Sequence, residues 1–266
     1  MASDSEFNEE VQRGLIERLQ RRNIVELEQV RHFHRWLDDK RLSRQSGRVV
    51  GESRTGKTLS CEAYQLKYPP SPENGAMRVP IVYWQAVPDS SNRDLFTGLL
   101  EGLQYQIYRG TLSEIRSRVL HLLQICQVEL LMVDEAHRLR SNALSELQDM
   151  LDKLQVAIIL VGTDRLNAVL KRDEQVDRRF IASHQYARLS AAQLAQTSAI
   201  WETYVLKLPQ ASHLSSVKVQ RLLAPATGGY IGLLDRILRE AAVRSLRAGK
   251  PRVEFTILSE VVAECR

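Results

Sequence analysis

Apolar positions along the chain fall into two alternating rhythms: short unbroken runs, and longer stretches where they recur every three or four residues. Leu27, Val30, Phe33 or His34, and Leu37 have the helical rhythm. A short run ending at Arg48, Val49 and Val50 predicts a first strand. Residues 79–86 (VPIVYWQA) predict a second, entered from the turn-rich residues 69–75. Residues 128–133 (VELLMV) and 156–161 (VAIILV) predict a third and a fourth, and residues 185–189 a weaker fifth. Between the third and fourth, Leu144, Leu147, Leu151 and Leu154 trace one helical face. Strands alternating with helices predict a parallel sheet wrapped by helices.

After about residue 190 the strand rhythm stops. Residues 191–206 read as a helix ended by Pro209, and residues 214–224 as a second ended by Pro225. Ile231, Leu234, Leu238, Ala241 and Leu246 mark a third, closed by Gly249 and Pro251, and residues 256–264 a short fourth. The expected organisation is an α/β domain over residues 1–189, with helices at its N-terminus, followed by a helical lid over residues 190–266. There is no internal repeat and no low-complexity tract.

Composition narrows this picture. A 266-residue chain that is 44% hydrophobic and 26% charged has ample core and is not a disordered polymer. No apolar run reaches the roughly 18–20 residues of a membrane span. The acidic opening MASDSEFNEE lacks the apolar core of a signal peptide. Cys61, Cys126 and Cys265 lie far apart without zinc-site spacing, which points to a reducing compartment and a cytoplasmic location. Net charge is +5, a modest bias toward polyanions. The 29 Arg against 8 Lys suit bidentate phosphate contacts, although a GC-rich genome gives the same bias.

The chemistry starts directly after the first strand. Gly51, Glu52, Ser53, Arg54, Thr55, Gly56, Lys57 and Thr58 spell G-x-x-x-x-G-K-T between a strand and a helix-compatible LSCEAY. The glycines let backbone N–H groups turn around a β-phosphate, and the following helix aims its positive end at the same anion. Lys57 then reaches the β- and γ-phosphates and the Thr58 hydroxyl binds Mg²⁺. The third strand delivers Asp134 beside this loop to hold the metal and Glu135 to polarise an attacking water, which is hydrolase chemistry. Asp134, Glu135, Ala136 and His137 also spell the DEAH box of helicases, but this chain is too short for two RecA-like domains, and His137 reads as a loop-start residue. Thr163, at the tip of the fourth strand, sits where a sensor meets the γ-phosphate or the water. Arg178 and Arg179 precede the fifth strand at the domain edge, away from their own loop and placed to reach a neighbouring subunit's nucleotide.

In this order the elements resemble an AAA+ P-loop NTPase. More narrowly, RVVGESRTGKT, LLMVDEA, ILVGTDRL, KRDEQVDRRF and ATGGYIGLLDRILREAA resemble the TnsC/TniB ATPases of transposons, especially the short ones of CRISPR-associated transposons, from about residue 24 onward. The resemblance implies a bacterial, ATP- and Mg²⁺-dependent regulator of transposition. Such proteins assemble as rings or filaments on double-stranded DNA and link a target-selector protein to a transposase. It carries over to Lys57, Thr58, Asp134, Glu135 and Thr163, and to Arg179 as arginine finger with Arg178 beside it. In many AAA+ lids a sensor arginine follows a glycine closely; here Leu233 and Leu234 follow Gly232, leaving Arg236 as the candidate. For the DNA backbone the resemblance points to Arg93 and Thr111, with Arg109 alongside and Arg140 as a further candidate. Two other readings stay open. One is a replication-initiation or helicase-loading ATPase on the same fold, and the other a nucleotide-binding switch, which the presence of Glu135 disfavours.

Overall fold

The computed structural model describes residues 2–73 and 75–265. Met1 and Asn74, which fall in the acidic opening and the turn-rich stretch, and Arg266 at the end of the expected lid, lie outside the described residues. Helix α1 (Ala2–Gln20) is followed by α2 (Glu28–Ser43), β1 (Gly47–Val50) and α3 (Lys57–Leu66). Next come β2 (Ser71–Glu73), β3 (Ala76–Arg78), β4 (Ile81–Gln85), α4 (Asn92–Gly102), α5 (Leu112–Ile125) and β5 (Leu130–Asp134). A 3₁₀ turn (Ala136–Arg138) leads to α6 (Ser141–Lys153), β6 (Ala157–Gly162), α7 (Asp164–Leu170), α8 (Glu174–Arg179) and β7 (Ala182–Gln185). The chain ends in α9 (Ala191–Ile200), α10 (Val217–Thr227), α11 (Ile231–Arg247) and α12 (Phe255–Glu264).

Two units divide these elements. The α/β unit holds residues 28–53 and 57–187. Its sheet has the order β4-β5-β6-β1-β7, and every pairing is parallel. All residues of β5 and β6 are buried. That explains why both strands read as continuous apolar runs: helices cover both faces of a parallel sheet. On one face Phe33, Leu37, Cys61 and Tyr64 of α2 and α3 pack on Val49, Met132 and Ile159. On the other, Leu95, Leu99, Ile115, Val119, Leu144 and Leu147 of α4, α5 and α6 pack on Leu131, Val133, Ile158 and Leu160. Each fully buried Leu or Phe contributes about 1.5–3 kcal/mol.

Two expectations need correction here. The turn-rich stretch carries a small antiparallel hairpin, β2 with β3. The fifth strand is Ala182–Gln185, three residues earlier than expected, and pairs with β1 in the register Val49↔His184. It lies at the sheet edge and buries only His184, so its sequence ASHQ has no apolar rhythm. The apolar Tyr186 and Leu189 drew the prediction downstream, yet both lie beyond the strand.

The helical unit comprises the residues up to Leu27, residues 54–56 and those from Arg188 onward. The first 27 residues, expected with the α/β domain, therefore group with the C-terminal helices. Arg18 donates to the Leu206 and Lys207 carbonyls, and Arg239 donates to those of Leu19 and Arg21, so α1 is tied to both of these segments. Helix α9 continues as a π-helical stretch, Trp201–Leu206, ending at Lys207 with φ 45°. Helix α10 starts later than expected because the Glu202 carboxylate accepts the N–H groups of Ser212, His213 and Leu214 and holds them in a turn. Pro225, expected to end this helix, lies inside its last turn. There it forgoes one N–H bond, and closure falls instead to Gly228 at φ 55°, whose N–H donates to the Ala224 carbonyl.

Candidate nucleotide and DNA sites

The loop after β1 is shaped by close approach and by positive φ. A Cβ on Gly51 would lie 2.3 Å from the Tyr186 carbonyl oxygen, and Gly56 has φ 101°, so neither position accepts a side chain without strain. Arg54 also has positive φ, at 66°. Thr55 is buried, while Glu52 and Ser53 sit toward the surface. Residues 54–56 group with the helical unit, where the Gly232 N–H donates to the Arg54 carbonyl at 3.0 Å. Arg236 is exposed one turn beyond Gly232, on the same face of α11.

Lys57 opens α3 and is only 7% exposed. Its ammonium donates to the Gly51 and Glu52 carbonyls, each at 2.7 Å. Burial pushes its pKa down, against the pull of the Asp134 and Glu135 charges. Among the described residues no carboxylate makes an ion pair with it. A buried ammonium held only by carbonyl oxygens is a receptor for an anion.

Asp134 ends β5 and is buried. Its Oδ2 accepts from Thr58 Oγ1 at 2.6 Å and from the Tyr83 hydroxyl at 3.0 Å, and its Oδ1 from the Glu135 N–H at 2.8 Å. Glu135 has φ 53°, a conformation that turns its side chain away from the line of the strand. His137 is more than a loop-start residue. Its Nδ1 lies 3.5 Å from Glu135 Oε2, and Arg138 Nε lies 3.8 Å from the same oxygen. Burial lowers the His137 pKa, so the imidazole is biased toward its neutral form. Thr163 follows β6, whose Gly162 carbonyl accepts the Gly51 N–H at 3.2 Å. Its Oγ1 is buried and has no hydrogen-bond partner.

A buried cation, a hydroxyl–carboxylate pair and an orphaned buried hydroxyl converge on the carboxyl edge of the sheet. That donor set fits a polyphosphate and a hard, oxygen-liganded divalent cation. Tyr83 is the member that sequence reading missed. It sat inside an apolar strand, and only the strand's two-residue alternation could have shown it facing α3.

Arg178 and Arg179 stand elsewhere. Arg179 pairs with Asp152 at 2.8 Å, and Arg178 with Glu174. Asp152 lies in the last turn of α6, which runs back from the carboxyl edge, so both arginines stand toward the opposite edge from Lys57. The neighbouring Asp177 pairs with Arg48 of β1 on that same side.

The proposed DNA-contacting residues are brought together. Arg93 in the first turn of α4 donates to the Gly110 carbonyl at 3.1 Å. Thr111 caps α5: its hydroxyl accepts the Glu114 N–H at 3.3 Å and its own N–H donates to Glu114 at 2.7 Å. Arg109 is exposed, and its carbonyl accepts from Arg118 at 3.1 Å. Arg140 pairs with Asp89 and joins this region through its N–H to the Ser90 carbonyl. Its charge is therefore largely cancelled locally.

Strand order, the loop after β1 and the carboxylate pair at the end of β5 define an AAA+ P-loop fold followed by helices. The chain belongs to the TniB family: the family model described as bacterial TniB protein matches residues 16–187. No curated protein matches it in sequence. Among solved structures it is similar to the Aeropyrum pernix ORC2 protein in ADPNP–ADP complexes, with TM-score 0.71 and 14% identity over 93% of this chain and 71% of that one. Cdc6p from Pyrobaculum aerophilum gives TM-score 0.72 and 16% identity over 94% and 70%. The Aeropyrum pernix ORC1 protein in complex with DNA gives 0.64 and 17% over 89% and 64%. At these identities the likeness shows the fold. Among the described residues no helix is long and apolar enough to cross a membrane.

Proposed function

We propose that this protein is an ATPase that assembles on double-stranded DNA in the presence of ATP and Mg²⁺ and regulates transposition. In this reading it links a target-selector protein to a transposase, as in the short TnsC/TniB proteins of CRISPR-associated transposons. The observation that carries it is the Thr58–Asp134 contact beside a buried Lys57, in a chain of the TniB family.

Lys57 and the N–H groups of the loop bind the β- and γ-phosphates. Thr58 and Asp134 are the residues that would hold Mg²⁺, which when bound neutralises phosphate charge. Glu135 takes the proton of the attacking water, and the Thr163 hydroxyl orients that water or the γ-phosphate. Arg179 of one subunit, with Arg178 beside it, serves the nucleotide of the next, and Arg236, exposed on α11, is the candidate sensor arginine. Arg93, Arg109, Thr111 and Arg140 hold the DNA backbone without reading its sequence. Hydrolysis to ADP and phosphate drives disassembly.

A replication-initiation or helicase-loading role would use the same fold, and the TniB match favours transposition. Electron microscopy with duplex DNA and a slowly hydrolysed ATP analogue tests the assembly. Rings or filaments that need both are expected, and dispersed monomers under those conditions would overturn it. Pull-down of a transposase rather than replication proteins tests the role.

A further inference from the structure

The parallel register of β4 and β5 decides which side chains share a face. Tyr83 pairs with Met132 and Gln85 with Asp134, so Tyr83 and Asp134 project from the sheet toward the layer of α2 and α3. Helix α3 begins at Lys57, and Thr58 in its first turn reaches Asp134 from above the sheet. Tyr83 reaches the same Oδ2 from the neighbouring strand. Three donors therefore fix the carboxylate: Thr58 and Tyr83 on Oδ2, and the Glu135 N–H on Oδ1. A carboxylate oxygen can only accept, so the Tyr83 phenol O–H is the donor in this contact.

Resting on the nucleotide-site reading above, we propose that Tyr83 is a positioning residue for Asp134 and sets how tightly the site takes a divalent cation. Neither Thr58 nor the Glu135 N–H can replace it. Thr58 is itself one of the residues that would hold the cation, and the Glu135 N–H pins only the other oxygen. Without Tyr83 the carboxylate can rotate about its Cβ–Cγ bond, and the orientation that suits a shared cation is no longer fixed. Partners that orient a metal ligand in this way typically change metal affinity by about 10–100-fold.

The test is Tyr83→Phe, which keeps the ring that packs in the core and removes only the hydroxyl. Binding of a fluorescent ATP analogue is followed in EDTA and across a Mg²⁺ titration, with Asp134→Asn as reference. Expected are parental binding in EDTA and a half-saturating Mg²⁺ concentration raised about tenfold or more. An unchanged Mg²⁺ midpoint would overturn the role. Loss of binding in EDTA as well would make Tyr83 a folding residue and overturn it too. Failure of the nucleotide-site reading looks different: the parent itself would not bind the analogue, or would bind it without regard to Mg²⁺ and to Asp134→Asn.

Discussion

The Arg93 guanidinium donates to the Gly110 carbonyl at 3.1 Å, and this bond joins the first turn of α4 to the loop entering α5. Arg93→Ala should weaken duplex binding for all sequences alike and lower the log–log salt slope by about 0.9 for each phosphate no longer neutralised. Arg140→Ala should lower it less, because Asp89 already cancels that charge. Binding across several salt concentrations with an ATP analogue checks both. Parental affinity and slope in Arg93→Ala would exclude this loop as the DNA surface.

Thr111, a proposed DNA contact, is also the N-cap of α5. Thr111→Ala should cost about 1 kcal/mol of stability and lower Tm by about 2–4 °C, apart from any effect on DNA. Thr111→Ser keeps the cap and should restore Tm. If Thr111→Ser also restores DNA affinity, the hydroxyl is sufficient for both. Thermal melts paired with duplex titrations separate the two contributions.

Removing the Lys57 ammonium should abolish nucleotide binding and ATP-dependent assembly, since no other buried cation faces the loop among the described residues. Glu135→Gln keeps the Thr58–Asp134 pair, so it should bind ATP, turn it over about a hundredfold more slowly, and prolong the assembled state. Turnover at the parental rate in Glu135→Gln would refute the role of the carboxylate.

Arg179 is tied to Asp152 by an ion pair whose two side chains are 50% and 45% exposed. An exposed pair of this kind is worth about 0–1 kcal/mol, so a partner can displace it at little cost. Arg179→Ala should therefore leave Tm and nucleotide binding near parental values while turnover falls. Mixing Arg179→Ala with Lys57→Ala subunits should recover part of the turnover if the arginine acts across an interface. No recovery despite demonstrated co-assembly would count against that.

His184 gives a pH dependence with a definite sign. Burial, with His32 nearby, lowers its pKa from 6.5 to about 4. The folded chain binds the proton less readily than the unfolded one. Its contribution to stability is thus complete above about pH 6.5 and lost as pH falls toward 4. The full loss is on the order of 3 kcal/mol. His184→Phe, which can pack against Phe33 and Trp36, should flatten the fall in Tm between about pH 7 and pH 4.5. An identical fall in parent and variant would assign the acid sensitivity elsewhere.

Strands buried on both faces were readable because every position obeys one rule, as in residues 130–134 and 157–162. The phosphate loop was readable because its spacing is local. What the sequence concealed is non-local. Strand β7 is specified by its pairing with β1 and not by its own apolar content, and α1 joins the helical unit through arginine contacts to distant carbonyls. The Tyr83 hydroxyl gains its meaning only from Asp134, a residue far along the chain. His137 likewise acquired a neighbour, Glu135, that spacing alone did not mark as one.

The strand that carries the phosphate loop is made early and paired late. Val49 pairs with Val161 on one side and His184 on the other. During synthesis β1 therefore leaves the ribosome with neither neighbour in existence, and both of its hydrogen-bonding edges wait on long-range closure. Strand β4 can meet β5 before β1 meets either of its own partners. The half of the sheet bearing Asp134 can thus be assembled while the loop bearing Lys57 is still unsupported. Chain order thus leaves room for the phosphate loop to join a sheet half that already carries Asp134.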